Sequence, residues 1–284
     1  MSGKKIPSSF IWQIIGASVR GANHLRHRIP NQDAILFSPK HKAGSTVFLA
    51  ISDGHGSERS FRSQQGAKFA VRAARFVCRD ILRSYCQTPQ NLQKEEMLAI
   101  ARYLPNQIVT QWRKMVENHL IQYPFQDEEK HLIDNENVFL VYGATLLIVL
   151  ISENFILYAQ LGDGDILTVS NSNGVNHPLP ADERLFANET TSLCMPDAEN
   201  NFRIKMEIIE SPPPVLILAA SDGYANSFLK ESGFLQVSTD LLTAIRQEGI
   251  DKVRYSLPTW LNETSIEGSG DDITAGIVYR EEIH

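Results

Sequence analysis

Short apolar runs separated by turn residues dominate the chain. Residues 47–51 read Val-Phe-Leu-Ala-Ile and residues 215–220 read Val-Leu-Ile-Leu-Ala-Ala; both are strand-sized, and their β-branched and leucine content suits buried strands. The same reasoning predicts strands over 11–19, 34–37, 46–52, 144–152, 154–161, 164–169, 203–209, 215–220 and 272–279. Residues 61–84 follow another period. Ala67, Ala70, Val71, Ala74, Val77, Cys78 and Ile81 form a stripe at helical spacing, with Arg and Lys on the remaining face, which predicts a helix packed on a core. A second helical region is expected over 94–122, interrupted at Pro105, with shorter helices over 238–248 and 252–262. The acidic stretch 126–137 reads as a solvated loop, and 175–201 shows no regular element. Strand-rich stretches bracketing helical pairs predict a layered α+β fold.

The candidate chemistry sits where the apolar runs stop. Asp53-Gly54-His55-Gly56 follows the first run and Asp222-Gly223 follows the other. One Asp-Gly pair is ordinary turn chemistry, because Asp bonds its own backbone and Gly supplies positive φ. Two further clusters, Asn31-Gln32-Asp33 and Gly268-Ser269-Gly270-Asp271-Asp272, also border strand-like runs. Strand ends are rigid anchors, and carboxylates held there suit hard divalent cations, which take oxygen ligands.

The order of these clusters resembles the metal-dependent serine/threonine protein phosphatases of the PPM or type 2C family. Arg28-Ile29-Pro30-Asn31-Gln32-Asp33-Ala34 looks like the first family motif, Ser52-Asp53-Gly54-His55-Gly56 the second, and Tyr142-Gly143-Ala144-Thr145 the Gly-x-Thr opening a central strand. Leu161-Gly162-Asp163-Gly164-Asp165 is similar to the Gly-Asp-Ser-Arg turn, and Ala220-Ser221-Asp222-Gly223-Tyr224 and 268–274 resemble the last two. Gly16-Ala17-Ser18-Val19 with Gly21 and His24 resembles a divergent bacterial branch.

The resemblance implies a four-layer α-β-β-α sandwich with two antiparallel sheets, and a flap-like segment near 175–201. It implies two Mn²⁺ or Mg²⁺ ions held by Asp53, the Gly54 carbonyl, Asp222 and Asp271, with Asp33 supporting the cluster. A metal-activated water would attack phosphoserine or phosphothreonine directly, with no covalent phosphoenzyme. Arg28 would bind the phosphate, since a guanidinium fork can hold two oxygens, and His55 is a candidate general acid. Phosphorylated proteins are the implied substrates, opposing a serine/threonine kinase.

Several positions depart from the family pattern. Gln32 stands where an acid is often found and Leu140 where relatives place a third-metal aspartate. Asp272 replaces the usual asparagine and is expected to act as a supporting partner. His24 and His27 are left out of the metal set, because oxygen ligands are expected, and Asp163 is read as a turn residue. Leu167 sets aside an aspartate-nucleophile phosphatase reading of 163–165, and the missing Gly and closing Glu set aside an EF-hand. The alternative from a different class is a pseudophosphatase, a phosphoprotein-binding or regulatory module, which Gln32 and Leu140 favour.

Composition narrows the class without changing it. The 284 residues are 43% hydrophobic with no Pro/Gly/Ser-rich linker, which favours one domain over 1–284 with a core near 11–280. A net charge of −6 and a pI near 5.8 argue against nucleic-acid binding. Cys78, Cys86 and Cys194 lack CxxC spacing, so free thiols are expected. The apolar N-terminal residues 10–15 are too short and polar for a leader core or a span, so no membrane association and a cytoplasmic location are expected.

Overall fold

The computed structural model describes residues 10–40, 43–85, 92–134, 137–180, 190–209 and 212–283. In chain order its elements are β1 (Phe10–Val19), α1 (Ala22–His27), β2 (Ala34–Ser38), β3 (Val47–Ser52), α2 (Ser63–Tyr85) and α3 (Lys94–Gln122). Then come β4 (Leu146–Ile151), β5 (Phe155–Leu161), β6 (Asp165–Val169), β7 (Val175–Asn176), β8 (Arg203–Ile208) and β9 (Leu216–Ala220). The last elements are α4 (Asp222–Ala225), α5 (Glu231–Glu248), α6 (Ile250–Glu267) and β10 (Ile273–Glu282).

The strands form two antiparallel five-stranded sheets, ordered β2-β3-β4-β5-β8 and β1-β10-β9-β6-β7. Side-chain alternation explains how they stack. On β3, Val47, Leu49 and Ile51 face an inter-sheet core with Ile217 and Ala219 of β9, whereas Phe48 and Ala50 pack toward α2 and α3. On β9, Leu216, Leu218 and Ala220 turn outward, to a third core under α5 and α6. Strands buried on both faces read as unbroken apolar runs. The result is the expected α-β-β-α sandwich.

Register then puts the aspartates at one end. Ala34 pairs with Ser52, so Asp33 and Asp53 leave the first sheet side by side. Ala275 pairs with Ala220, so residues 271–272 and 222 leave the second sheet together.

Some expected elements differ. Pro105 does not interrupt α3, which runs unbroken from Lys94 to Gln122. An interior proline costs about 3 kcal/mol, and here it is opposed by burial of Ile100, Leu104, Ile108, Val109, Trp112 and Val116 on one face. The 126–137 stretch contains a 3-10 turn at Asp127–Leu132, and 175–201 contains β7 and a 3-10 turn at Ala198–Asn201. Residues 181–189 of the expected flap lie outside the described residues. Helix α5 begins at Glu231, seven residues before the expected 238, and the sequence reading missed α1 and α4. Cys78 and Cys194 are free and buried, and Cys86 lies outside the described residues. Among the described residues no helix is long and apolar enough to cross a membrane.

Candidate metal centre

The Asp53 segment is fastened to the chain that opens β4. Thr145 N–H donates to Asp53 O (2.8 Å), Thr145 Oγ1 accepts from Asp53 N–H (3.0 Å), and His55 N–H donates to Gly143 O (3.0 Å). Gly54 has no room for a side chain, since a Cβ there would lie 2.8 Å from both Gln32 O and Ser63 O. These contacts fix where the Asp53 carboxyl leaves the sheet.

Asp33 is anchored through its neighbours. Its N–H donates to Asn31 Oδ1 (2.8 Å), and Asn31 in turn donates to Ser18 Oγ (2.9 Å). Ser221 Oγ, from the other sheet, donates to Asp33 Oδ2 (2.8 Å), while Thr274 N–H donates to Ser221 Oγ (2.9 Å). Burial, opposed by the Thr274 and Ser221 hydroxyls, pushes the Asp33 carboxyl up to about 7.

Asp222 opens α4, and Gly223 lets the 271–272 turn lie against it, because a Cβ there would sit 2.2 Å from Asp272 O. Burial raises both Asp53 and Asp222. Asp53 rises well above the ordinary range, and after burial the causes are Asp33, Asp222 and Asp271. Asp222 is raised further by Asp163 and Asp271, and eased by a hydrogen bond with Asp53. Asp33, Asp53, Asp222 and Asp271 therefore converge, and none of the leading influences on the first three is a lysine or arginine.

The last acidic pair divides. Asp272 is buried and accepts the N–H groups of Gly21 (2.6 Å, Oδ1) and Gln32 (2.6 Å, Oδ2). Asp271 is exposed, and its Oδ1 accepts the Asp272 N–H (2.8 Å). Gln32 is 9% exposed, with its Oε1 buried and without a hydrogen-bond partner. A centre of mutually repelling carboxylates beside an orphaned amide oxygen matches what hard divalent cations bind.

Arg28 is exposed, caps α1 in the left-handed region (φ 60°), and forms no ion pair among the described residues. The His55 ring packs on Gly143, whose Cβ would lie 2.4 Å from His55 Cδ2. Burial lowers the His55 pKa, and the Asp163 carboxylate opposes this.

The sequence profile of Protein phosphatase 2C matches residues 20–262. The chain belongs to that family. No curated protein matches it by sequence. By structure it is similar to the catalytic domain of the serine threonine protein phosphatase PstP, crystallised with 2 manganese ions. That match has 15% identity and a TM-score of 0.53, covering 95% of this chain and 99% of that one. It is also similar to the serine/threonine phosphatase Stp1 from Staphylococcus aureus (16% identity, TM-score 0.57, 98% and 99% covered). A third likeness is PppA, a regulatory component of T6SS in Pseudomonas aeruginosa (16% identity, TM-score 0.57, 95% and 98% covered). At such identities the likeness is one of fold.

Within this type 2C chain, two residues set aside from the sequence lie at the centre. Asp163 is more than a turn residue. It accepts from Thr190 Oγ1 (2.5 Å) and acts on both Asp222 and His55. Its signal was present, since Gly162-Asp163 follows β5 as Asp53 follows β3. His24 lies against the last acidic pair, Nδ1 2.9 Å from Asp272 Oδ1 and Nε2 3.8 Å from Asp271 Oδ1. His27 is exposed and meets only Asn23 O (2.8 Å) at Nδ1, as expected for a local turn contact.

Proposed function

We propose that this chain is a single-domain protein serine/threonine phosphatase that transfers the phosphoryl group of phosphoserine or phosphothreonine directly to water. The observation that carries the reading is the convergence of Asp33, Asp53, Asp222 and Asp271, where burial and neighbouring carboxylates raise the proton affinity of the first three with no basic side chain among the leading influences. Like charges held this close are costly unless cations join them. Two divalent cations, Mn²⁺ or Mg²⁺, would supply the missing charge and acidify a water. Asp53, the Gly54 carbonyl, Asp222 and Asp271 would hold them, with Asp33 supporting.

The remaining roles belong to side chains around the cluster. Arg28, exposed beside the first motif, orients the phosphate through its planar donors. His55 gives a proton to the leaving serine or threonine oxygen, and because burial lowers its pKa from the ordinary 6.5, that step weakens as pH rises through the mildly acidic range below that value. Gln32 and Asp272 hold the segments together. The substrates are phosphorylated proteins, opposing a serine/threonine kinase.

Hydrolysis of a phosphothreonine peptide with Mn²⁺, with Mg²⁺ and with EDTA tests this, beside Asp53→Asn and Arg28→Ala. Metal-dependent turnover, lost in the first variant and weakened in the second, is expected. Folded protein that binds the phosphopeptide yet turns nothing over with either metal would mark a pseudophosphatase instead.

A further inference from the structure

We propose that His24 supplies a ring nitrogen, Nε2, to the cation on the Asp271 side of the centre, with Asp272 as the carboxylate that holds the ring. The inference rests on the two-cation reading above.

The ring is brought there by a built contact rather than by a loose surface helix. The backbone entering α1 is tied to the 265–272 segment at three points. Gly21 N–H donates to Asp272 Oδ1 (2.6 Å), Ala22 N–H to Ser265 Oγ (3.1 Å) and Asn23 N–H to Gly270 O (2.8 Å). The His24 side chain is 15% exposed, against 51% for Asp271. It therefore faces inward over the same carboxylate that the family pattern assigns to metal binding.

The two ring nitrogens meet different carboxylates. Nδ1 lies 2.9 Å from Asp272 Oδ1, close but not aligned as a hydrogen bond. Asp272 cannot swing away, since each of its oxygens accepts a backbone N–H. Metal-ligating histidines commonly give their other N–H to such a fixed carboxylate, which sets the tautomer and leaves the second nitrogen's lone pair for the ion. Nε2 is that second nitrogen here, 3.8 Å from Asp271 Oδ1. Two donors each about 2.1 Å from one cation stand about 3 to 4 Å apart, and these two atoms are already at such a separation.

The chemistry of the donor set follows. With Gln32 in place of an acid, the centre offers fewer anionic oxygens, and an imidazole adds a nitrogen. Nitrogen donors favour Mn²⁺ and the later transition metals over Mg²⁺, which prefers oxygen.

The direct readout is pulsed electron paramagnetic resonance of bound Mn²⁺, which detects nitrogen coupled to the ion, together with Mn²⁺ and Mg²⁺ titrations. Wild type, His24→Gln and His55→Gln are compared. Nitrogen coupling is expected in wild type and His55→Gln and is lost in His24→Gln, whose affinity at one Mn²⁺ position falls about tenfold or more while its Mg²⁺ affinity changes less. Labelling the histidines of wild type with ¹⁵N should change the coupling pattern, a check that needs no variant to fold. Mn²⁺ bound by wild type without nitrogen coupling, or coupling that survives in His24→Gln, overturns the assignment and leaves the two-cation reading standing. Folded wild type that binds no Mn²⁺ overturns both.

Discussion

Asp271 and Asp272 are adjacent in sequence and opposite in situation. Asp272 is 3% exposed and each of its oxygens accepts a backbone N–H, so its charge is satisfied by the fold and ties three chain segments together. Asp271, 51% exposed, receives a single N–H. Asp33, Asp53 and Asp222 form a third case. Asp33 is buried like the first, Asp53 and Asp222 are half-buried, and all three are short of counter-charge, so their proton affinities rise. The difference shows that burial alone does not make a carboxylate structural. Backbone donors on both oxygens make it hold the chain together, whereas facing neighbouring carboxylates leaves it available to an ion.

The largest expected effect separates these roles in catalysis. Asp53→Asn should lower kcat/KM for a phosphothreonine peptide by roughly 10³-fold, while its metal-free fold is retained by circular dichroism. Loss of folding instead would put Asp53 in the same class as Asp272.

Next comes pH. Asp33 has a folded pKa of about 7 against an ordinary value of 3.8. As pH rises through that window the unfolded chain releases its proton first, so the metal-free fold loses stability between about pH 4 and 7, with Asp33 alone contributing on the order of 4 kcal/mol. Urea melts should show the decline, Asp33→Asn should flatten it, and saturating Mn²⁺ should largely remove it at pH 7 to 8. A flat metal-free profile would mean that the carboxylates are not in conflict.

A third contrast sets Asp272 against Asp271 directly. Asp272→Ala strands the N–H groups of Gly21 and Gln32 and should cost on the order of 3 kcal/mol. The smallest effect belongs to Asp271→Ala, which should change metal-free stability by less than about 0.5 kcal/mol yet reduce the rise in Tm caused by Mn²⁺. Equal stability losses in the two variants would erase the distinction.

Much of the fold was legible because buried strands carry a local signature. The runs that became β3, β4, β5 and β9 are apolar apart from Ser52 and Gln160, and the sandwich buries them on both faces. Where local and tertiary preferences conflict, the reading failed. Pro105 is a helix breaker by itself, and only packing of the surrounding face keeps α3 continuous. At the site, the repeated Asp at a strand end marked Asp33, Asp53, Asp222 and Asp271. Asp163 carried the same mark and was discounted, because a turn aspartate and a clustered one look alike until a partner is brought near. His24 had no local mark, since its partners are about 250 residues away.

The sequence by itself determined where the long buried strands and the α2 helix lie and that acidic residues border several of the strands. It also determined family membership, because ordered motifs survive when overall identity does not. Those properties are written in short stretches of chain. Convergence of the carboxylates, the saturation of Asp272 beside the open Asp271, and the placing of His24 between them were decided only by tertiary structure. Charge repulsion and donor supply act through space, and it is strand register and sheet stacking that set which distant side chains share that space.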